Sequence, residues 1–298
     1  MMVMTPSAMS LETLNRLDPV SLVAALGEVF EHAPWVAAAV AGNRPYPTVA
    51  ALHDAMMQAV RAASPARQDA LIAGHPELGS RVKRMELTDH SKGEQGSLGL
   101  DRLSAGEFDR FARLNAAYRE KFRFPFIICV RRHTRDSILH NFERRLGNGV
   151  AAERAQALTE IGLITRLRLV GLVDGPGKPI TAGRLSTHVL DAATGRPASG
   201  VRIALHEIGS SARGLMTDTV SNADGRTDAP LIAGEPLRIG TYELSFHIGE
   251  YFRRGPGPLA DPPFLDVVPV RFAIAEPEGH YHLPLLATPW SYTTYRGS

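Results

Sequence analysis

The sequence predicts two domains, an all-α helical bundle over residues 1–172 and an all-β sandwich over residues 184–298, joined by a linker over 173–183. The first observation is length. At 298 residues the chain exceeds the size at which one hydrophobic core keeps growing, so two domains are the default. The second is a change of period. From Leu11 to Leu172 apolar residues recur every three or four positions among Ala, Leu, Arg and Glu. Beyond Gly183 the runs are short and alternating, as in Val201-Arg-Ile-Ala-Leu205 and Tyr242-Glu-Leu-Ser-Phe246. The third is the interruption between them, where Gly175, Pro176, Gly177 and Pro179 break both patterns.

Element by element, Met1 to Met9 reads as a frayed terminus. His75 stands before Pro76, which disfavours helical dihedrals at the preceding residue, so His75 belongs where a helix ends or a loop begins. Ser104 precedes Glu107 at capping-box spacing, ahead of a helix carrying Phe108, Phe111, Leu114 and Tyr118. The run Phe124 to Val130 has the texture of core. Asp136 to Leu146 reads as a further helix, with Gly147 and Gly149 as its stops. At 100° per residue, Arg168 shares the face of Ile161 and Ile164 while Arg166 points away, so Arg168 is the inward arginine and needs a buried partner, either Glu94 or an anionic substrate. In the second half, Ala223-Asp-Gly225 marks a turn between strands.

Composition narrows the function. With 44% hydrophobic and 21% charged residues the chain is ordinary for a folded globular protein. A formal charge of +2, with scattered basic residues, gives no footprint for nucleic acid or an anionic membrane. The single cysteine, Cys129, excludes an internal disulfide framework and fits a reducing compartment, so a cytoplasmic protein is expected. No apolar stretch approaches the ~18 residues of a membrane span, and the start lacks the pattern of a secretory signal.

The polar features of the second half are His188, Arg226 after Asp224-Gly225, and His280-Tyr-His282. Set beside Leu185-Ser-Thr-His-Val-Leu-Asp191, Gly240-Thr-Tyr-Glu-Leu244, Phe264-Leu-Asp-Val-Val-Pro269, His280-Tyr-His-Leu-Pro-Leu-Leu286 and the ending Tyr295-Arg-Gly-Ser298, they make this half resemble 5-hydroxyisourate hydrolase, of the transthyretin-like fold. The resemblance implies that His188, Arg226 and His282 are catalytic and that Tyr295, Arg296, Gly297 and Ser298 close the substrate site. It also implies a homotetramer assembled through this domain. Strand alternation alone cannot separate His280 from His282, because residues two apart share a face. The chemistry suits these groups: opening a ring amide needs a base for water and a cation or donors for the developing oxyanion. No metal is expected. Two histidines could hold zinc, but a catalytic zinc takes three protein ligands and an arginine cannot be the third.

In the first half, Phe30-Glu-His-Ala-Pro-Trp35, Arg44-Pro-Tyr46, His75-Pro-Glu-Leu78, Ser91-x-x-Glu94-Gln95, Leu114-Asn-Ala-Ala-Tyr118, Phe124-Pro-Phe-Ile-Ile-Cys-Val130 and Leu167-Arg-Leu169 occur in order. Together they resemble the cofactor-free decarboxylase of 2-oxo-4-hydroxy-4-carboxy-5-ureidoimidazoline (OHCU). The resemblance implies that His75 is the catalytic acid. It implies that Pro76, Ser91, Glu94, Gln95 and Arg168 bind substrate, and that Phe126, Ile127, Ile128 and Val130 contribute backbone contacts. One departure is visible: Arg123 stands where the family has glycine. Decarboxylation next to a carbonyl or imine delocalises the carbanion, so no cofactor is expected, and (S)-allantoin is the implied product. The two resemblances together imply a bifunctional enzyme of urate breakdown acting on the small molecules 5-hydroxyisourate and OHCU. The competing reading is a transthyretin-like carrier or assembly module fused to a helical scaffold; a carrier site would be apolar.

Overall fold

Nine helices are described in the N-terminal half: α1 (Leu11–Arg16), α2 (Pro19–Leu26), α3 (Trp35–Val40), α4 (Val49–Ala62), α5 (Pro65–Ala73), α6 (Asp89–Ser97), α7 (Ala105–Phe122), α8 (Arg135–Arg145) and α9 (Val150–Leu172). The computed structural model describes residues 8–79, 89–98, 104–210, 213–255 and 259–297, without the side chains of Asp89, Lys92, Gln95 and Ser97. Local chemistry sets the helix starts. Asp18, Thr48 and Ser64 accept hydrogen bonds from the first-turn N–H groups of α2, α4 and α5, and proline occupies the first turn of α2 and α5. The expected capping box of α7 is present, with Glu107 N–H donating to Ser104 Oγ at 3.3 Å and Ser104 N–H to Glu107 Oε2 at 2.9 Å.

Among the described residues the helical unit buries two apolar clusters. One gathers α1 to α5 and α9 around Leu14, Phe30, Leu52 and Ile161; the other gathers α7 and α8 around Phe111, Tyr118 and Phe142. The segment 124–130 runs between them and splits its side chains. Ile127 and Cys129 enter the first cluster, while Phe126, Ile128 and Val130 enter the second. Two buried groups fix its backbone: Arg145 Nη1 donates to the Ile127 carbonyl at 2.8 Å, and Cys129 N–H donates to Glu160 Oε2 at 2.9 Å.

Three local expectations need correction. Met9 is not frayed, because β1 (Met9–Ser10) pairs in parallel with β2 (Val173–Asp174). Gly149 does not stop α8; it is the N-cap of α9, where its carbonyl accepts from Glu153 N–H at 3.0 Å. The glycine-rich stretch after α9 is also not loose. Val49 and Ala50, whose N–H groups have no partner inside α4, donate to the carbonyls of Pro176 and Gly177. The chain accordingly divides into one unit of Met1–Arg131 with Ile138–Ile180 and another of Arg132–Ser137 with Thr181–Ser298.

The second unit is sheet-rich, with β3 (Arg184–Asp191), β4 (Arg196–Pro197), β5 (Arg202–Ile208), β6 (Arg213–Val220), β7 (Gly240–His247), β8 (Val267–Ile274), β9 (His280–Ala287) and β10 (Tyr292–Thr294). They form two four-stranded sheets, ordered β10-β9-β3-β4 and β6-β5-β7-β8. Side chains from both, among them Val189, Leu285, Leu205, Leu244 and Phe246, share one core, as in a sandwich. The unit also holds a short helix, α10 (Ile248–Phe252), and the first unit holds the β1–β2 pair, so all-α and all-β describe the halves approximately.

Candidate active sites

In the helical unit the sequence-predicted residues converge on one cleft of about 460 Å³. Its walls include His75, Pro76, Ser91, Glu94, Phe126, Ile127, Ile128, Val130 and Arg168. Gln95 lies on α6 with Ser91 and Glu94, but its side chain is outside the described set. Pro76 ends helical geometry after α5, and the turn through Gly74 carries His75 to the cleft wall. His75 is 8% exposed. Its Nδ1 lies 2.9 Å from the Leu71 carbonyl, which can only accept, so Nδ1 carries a hydrogen. Nε2 is buried at the cleft wall and has no hydrogen-bond partner. Burial holds the imidazole below its usual pKa, against the opposing effects of the Leu71 hydrogen bond, Glu31 and Glu94.

Arg168 is the inward arginine, as helical periodicity requires, while Arg166 reaches the Ile180 carbonyl. It pairs with Glu94 through Nε at 3.0 Å and Nη2 at 2.9 Å. It also donates from Nη1 to Glu31 at 2.8 Å and from Nη2 to Ser91 Oγ at 3.2 Å. Ser91 Oγ in turn donates to Glu31 Oε2 at 3.0 Å. Sequence reasoning missed Glu31, although it lies in the Phe30 to Trp35 block; a single acidic residue between helices gives no periodic signal. The side chains of Phe126, Ile127, Ile128 and Val130 are core, so backbone is what the strip can offer a ligand.

In the sheet unit, β3 and β9 run parallel with Ser186 opposite His282 and His188 opposite Pro284. Leu185, Thr187 and Val189 face the core, which puts Ser186 and His188 on the outer face with His280 and His282. The His188 and His282 rings lie 6.5 Å apart between centroids, inclined by 29°. Arg226 arrives from a turn in which Asn222 Oδ1 accepts from the N–H groups of Asp224 and Arg226. Gly225, at φ 72°, is in that turn because a side chain there would meet the Val189 carbonyl at 2.3 Å, and the close approach pairs Arg226 with His188.

Partial burial, and then the positive charge of Arg226, hold both imidazoles below their usual pKa. His282 is the histidine beside His188, and Ser186 Oγ lies 3.0 Å from its Nδ1 and 3.2 Å from Nε2 of His280. Ser186 was another residue that sequence reasoning passed over. The tail reaches the site through Gly297, whose N–H donates to the His282 carbonyl at 2.8 Å. Tyr295 is exposed. Arg296 stacks on Tyr281 and pairs with Glu276, and with His282 it lines a second cleft, of about 510 Å³. Ser298 lies outside the described residues.

Among the described residues no group of three or more His, Cys, Asp or Glu is placed to hold a metal ion, and no helix is long and apolar enough to cross a membrane.

Comparison with known proteins agrees with both resemblances. The OHCU decarboxylase family profile matches residues 15–170, and that of the HIUase/Transthyretin family matches residues 185–297. A 5-hydroxyisourate hydrolase of Deinococcus radiodurans is 57% identical over 114 residues, covering 38% of this chain and 95% of that protein. A 2-oxo-4-hydroxy-4-carboxy-5-ureidoimidazoline decarboxylase of Haloferax volcanii is 43% identical over 161 residues, covering 54% of this chain and 94% of that protein. A crystal structure of (S)-allantoin synthase is 33% identical with a TM-score of 0.53, covering 97% of this chain and 100% of that one. The chain therefore belongs to the OHCU decarboxylase family through its helical half and to the HIUase/transthyretin family through its sheet half.

Proposed function

We propose that the chain carries out two consecutive steps of urate breakdown, hydrolysing 5-hydroxyisourate in the sheet unit and decarboxylating the product, OHCU, to (S)-allantoin in the helical unit. The observation that carries this reading is the convergence of two sets of residues scattered along the sequence. His75, Ser91, Glu94 and Arg168 meet around one cleft, and His188, Arg226 and His282 meet on one sheet face. In this reading the working domains are residues 1–172 and 184–298, bridged by 173–183.

For hydrolysis, an imidazole with a depressed pKa keeps its lone pair at neutral pH, as a general base requires. Water held between His188 and His282 attacks a ring carbonyl carbon and gives its proton to an imidazole. The oxyanion forms beside the Arg226 guanidinium. The ring C–N bond then breaks, and the proton passes to the departing nitrogen. Tyr295, Arg296, Gly297 and Ser298 close over the substrate, and tetramer formation through this unit completes the open face. This polar outer face favours hydrolysis over a carrier's apolar binding.

For decarboxylation, the strip from Phe126 to Val130 and the polar groups on α6 orient OHCU, with Arg168 setting the charge of the wall. The carbon that loses its carboxylate neighbours an imine. As the C–C bond breaks, its electron pair moves onto that system and carbon dioxide leaves. His75 Nε2 has no hydrogen-bond partner, and an arriving carboxylate favours its imidazolium form. Its proton then passes to one face of the carbanion, which fixes the stereochemistry. Both reactions run on groups of the protein alone, in the cytoplasm, and the fusion supplies the helical unit with the unstable product of the sheet unit.

Ultraviolet and circular-dichroism spectra of freshly generated 5-hydroxyisourate test this directly. The expected result is faster loss of both 5-hydroxyisourate and OHCU, with accumulation of optically active allantoin. In His75→Ala the first decay keeps its rate, while the second slows by ~100–10,000-fold and yields racemic product. Spontaneous decay rates with the intact protein would overturn the proposal.

A further inference from the structure

The decarboxylase reading uses His75, Ser91, Glu94 and Arg168, yet a further carboxylate, Glu31, bonds two of them, Arg168 and Ser91. Its side chain is 1% exposed. Glu31 Oε2 receives Arg168 Nη1 at 2.8 Å and Ser91 Oγ at 3.0 Å. Ser91 also accepts from Arg168, so the three close a buried triangle against one wall of the cleft. Arg168 is thus held between two carboxylates, Glu94 from α6 and Glu31 from the turn between α2 and α3.

That turn is built at a cost. His32, immediately after Glu31, is exposed and has φ 49°, in the left-handed region that is unfavourable for a residue with a Cβ. Strain of this kind persists where the surroundings over-determine it and concentrates at functional sites. Here it accompanies the placement of a negative charge beside a guanidinium that already has a bidentate partner. A guanidinium with one carboxylate partner would be enough for a satisfied ion pair. The second carboxylate keeps Arg168 from presenting a full positive charge to an anionic substrate and puts negative potential near His75.

We propose that Glu31 is a positioning residue of the decarboxylation, acting through Arg168 and Ser91 to fix the cleft wall and through its charge to keep a proton on His75 when substrate is bound. The inference rests on the decarboxylase reading. The charged groups acting on His75 among the described residues are Glu31 and Glu94, which favour its protonated form, and Arg168, which opposes it. Removing Glu31's charge therefore has two consequences of opposite kind. An anion binds more readily to a wall that has lost a negative charge, and His75 holds its proton less well.

The test is steady-state decarboxylation of freshly generated OHCU by the full chain and by Glu31→Gln, across pH, with 5-hydroxyisourate hydrolysis on the same preparation as the control. Glutamine keeps an acceptor for Arg168 and Ser91 while deleting the charge. The expected result is a kcat lowered by ~10-fold, as for a one-unit fall in the pKa of the proton donor, with KM unchanged or lower. The kcat–pH profile moves toward acid, and hydrolysis is unchanged. Glu31→Asp, which retains the charge, restores most of kcat. A raised KM, or a kcat and pH profile equal to the parent's, overturns the proposal. Should Glu31→Gln not fold, Glu31→Asp decides alone: a pH profile like the parent's with a modest fall in kcat supports the charge role, and a raised KM refutes it. Absence of catalysed decarboxylation in the parent chain would instead refute the decarboxylase reading, a result distinct from either.

Discussion

Arg168 holds Glu94 by two parallel hydrogen bonds, Nε at 3.0 Å and Nη2 at 2.9 Å, in a side-chain environment only 2% exposed for the arginine. A fork of this kind is specific to guanidinium, because lysine offers one point charge where arginine offers two fixed donors. The pair is therefore structural before it is catalytic.

Replacing Arg168 by methionine strands Glu31 and Glu94 beside an uncharged side chain. Removing one partner of a buried ion pair typically costs about 3–5 kcal/mol, more than any attraction the pair contributes on balance. Arg168→Met is expected to lower the urea midpoint of the helical unit by a corresponding amount and to stop decarboxylation. The 5-hydroxyisourate hydrolysis rate should survive at concentrations of urea below that transition. A variant as stable as the parent would contradict the buried pairing.

The proposed hydrolase site carries its own electrostatic signature. Arg226 lowers the pKa of both His188 and His282, second in effect to burial, and both groups therefore titrate below the ordinary histidine value near 6.5. A base that must be neutral loses activity as pH falls through its folded pKa, so the acid limb of kcat/KM for hydrolysis is expected below pH 6.5. Arg226→Ala removes a positive charge that disfavours imidazolium, which raises both values. The acid limb should move to higher pH while the rate falls by the ~100–1000-fold typical of losing an oxyanion donor. An acid limb that stays in place would mean that Arg226 acts on substrate without acting on the histidines.

Arg123 shows what a single departure in sequence can mean. It occupies the C-cap of α7 with φ 65°, and its N–H donates to the Arg119 carbonyl at 2.9 Å. That left-handed geometry is the one glycine adopts without strain at helix ends, which explains the family preference for glycine there. Arg123→Gly is expected to stabilise the helical unit by about 0.5–1 kcal/mol, read from urea denaturation, and to leave both activities unchanged. Destabilisation would mean that the arginine side chain supplies packing that outweighs the backbone strain.

Features with a period were legible in the sequence. The core faces of α7 and α9, the inward turn of Arg168 and the capping box at Ser104 each follow from spacing. Features created by tertiary contact were not. Glu31 meets Arg168 across 137 positions of chain, and Ser186 meets His282 across 96, so neither has a local signature. The stretch after α9 misled for a related reason. Glycine and proline mark a break in regular structure, but they also let backbone carbonyls approach the unsatisfied start of α4, and the sequence does not distinguish the two uses. The choice between His280 and His282 required knowing which of two outward-facing rings stands beside β3's His188, a matter of strand register and not of composition.

Gly297 ties the tail to the hydrolase site through geometry that a methyl group would break. Its N–H donates to the His282 carbonyl at 2.8 Å, and a Cβ at this position would fall 2.8 Å from His282 Cδ2, closer than such atoms ordinarily come. Since the backbone hydrogen bond holds the tail against β9, alanine cannot be accommodated by simple rotation of a side chain at 297. Either the His282 ring turns away from its Ser186 contact or the tail lifts from the strand. Both responses disturb the pair of imidazoles, whereas His75 belongs to the other unit. Gly297→Ala is therefore expected to reduce kcat/KM for 5-hydroxyisourate by ~10-fold or more, the scale of loss from a misplaced catalytic group, without changing OHCU decarboxylation. Histidine NMR would identify the cause, because a displaced ring alters the His282 signals while those of His75 stay fixed. Parental hydrolysis in a folded Gly297→Ala chain would show that contact between the tail and His282 contributes nothing to that reaction.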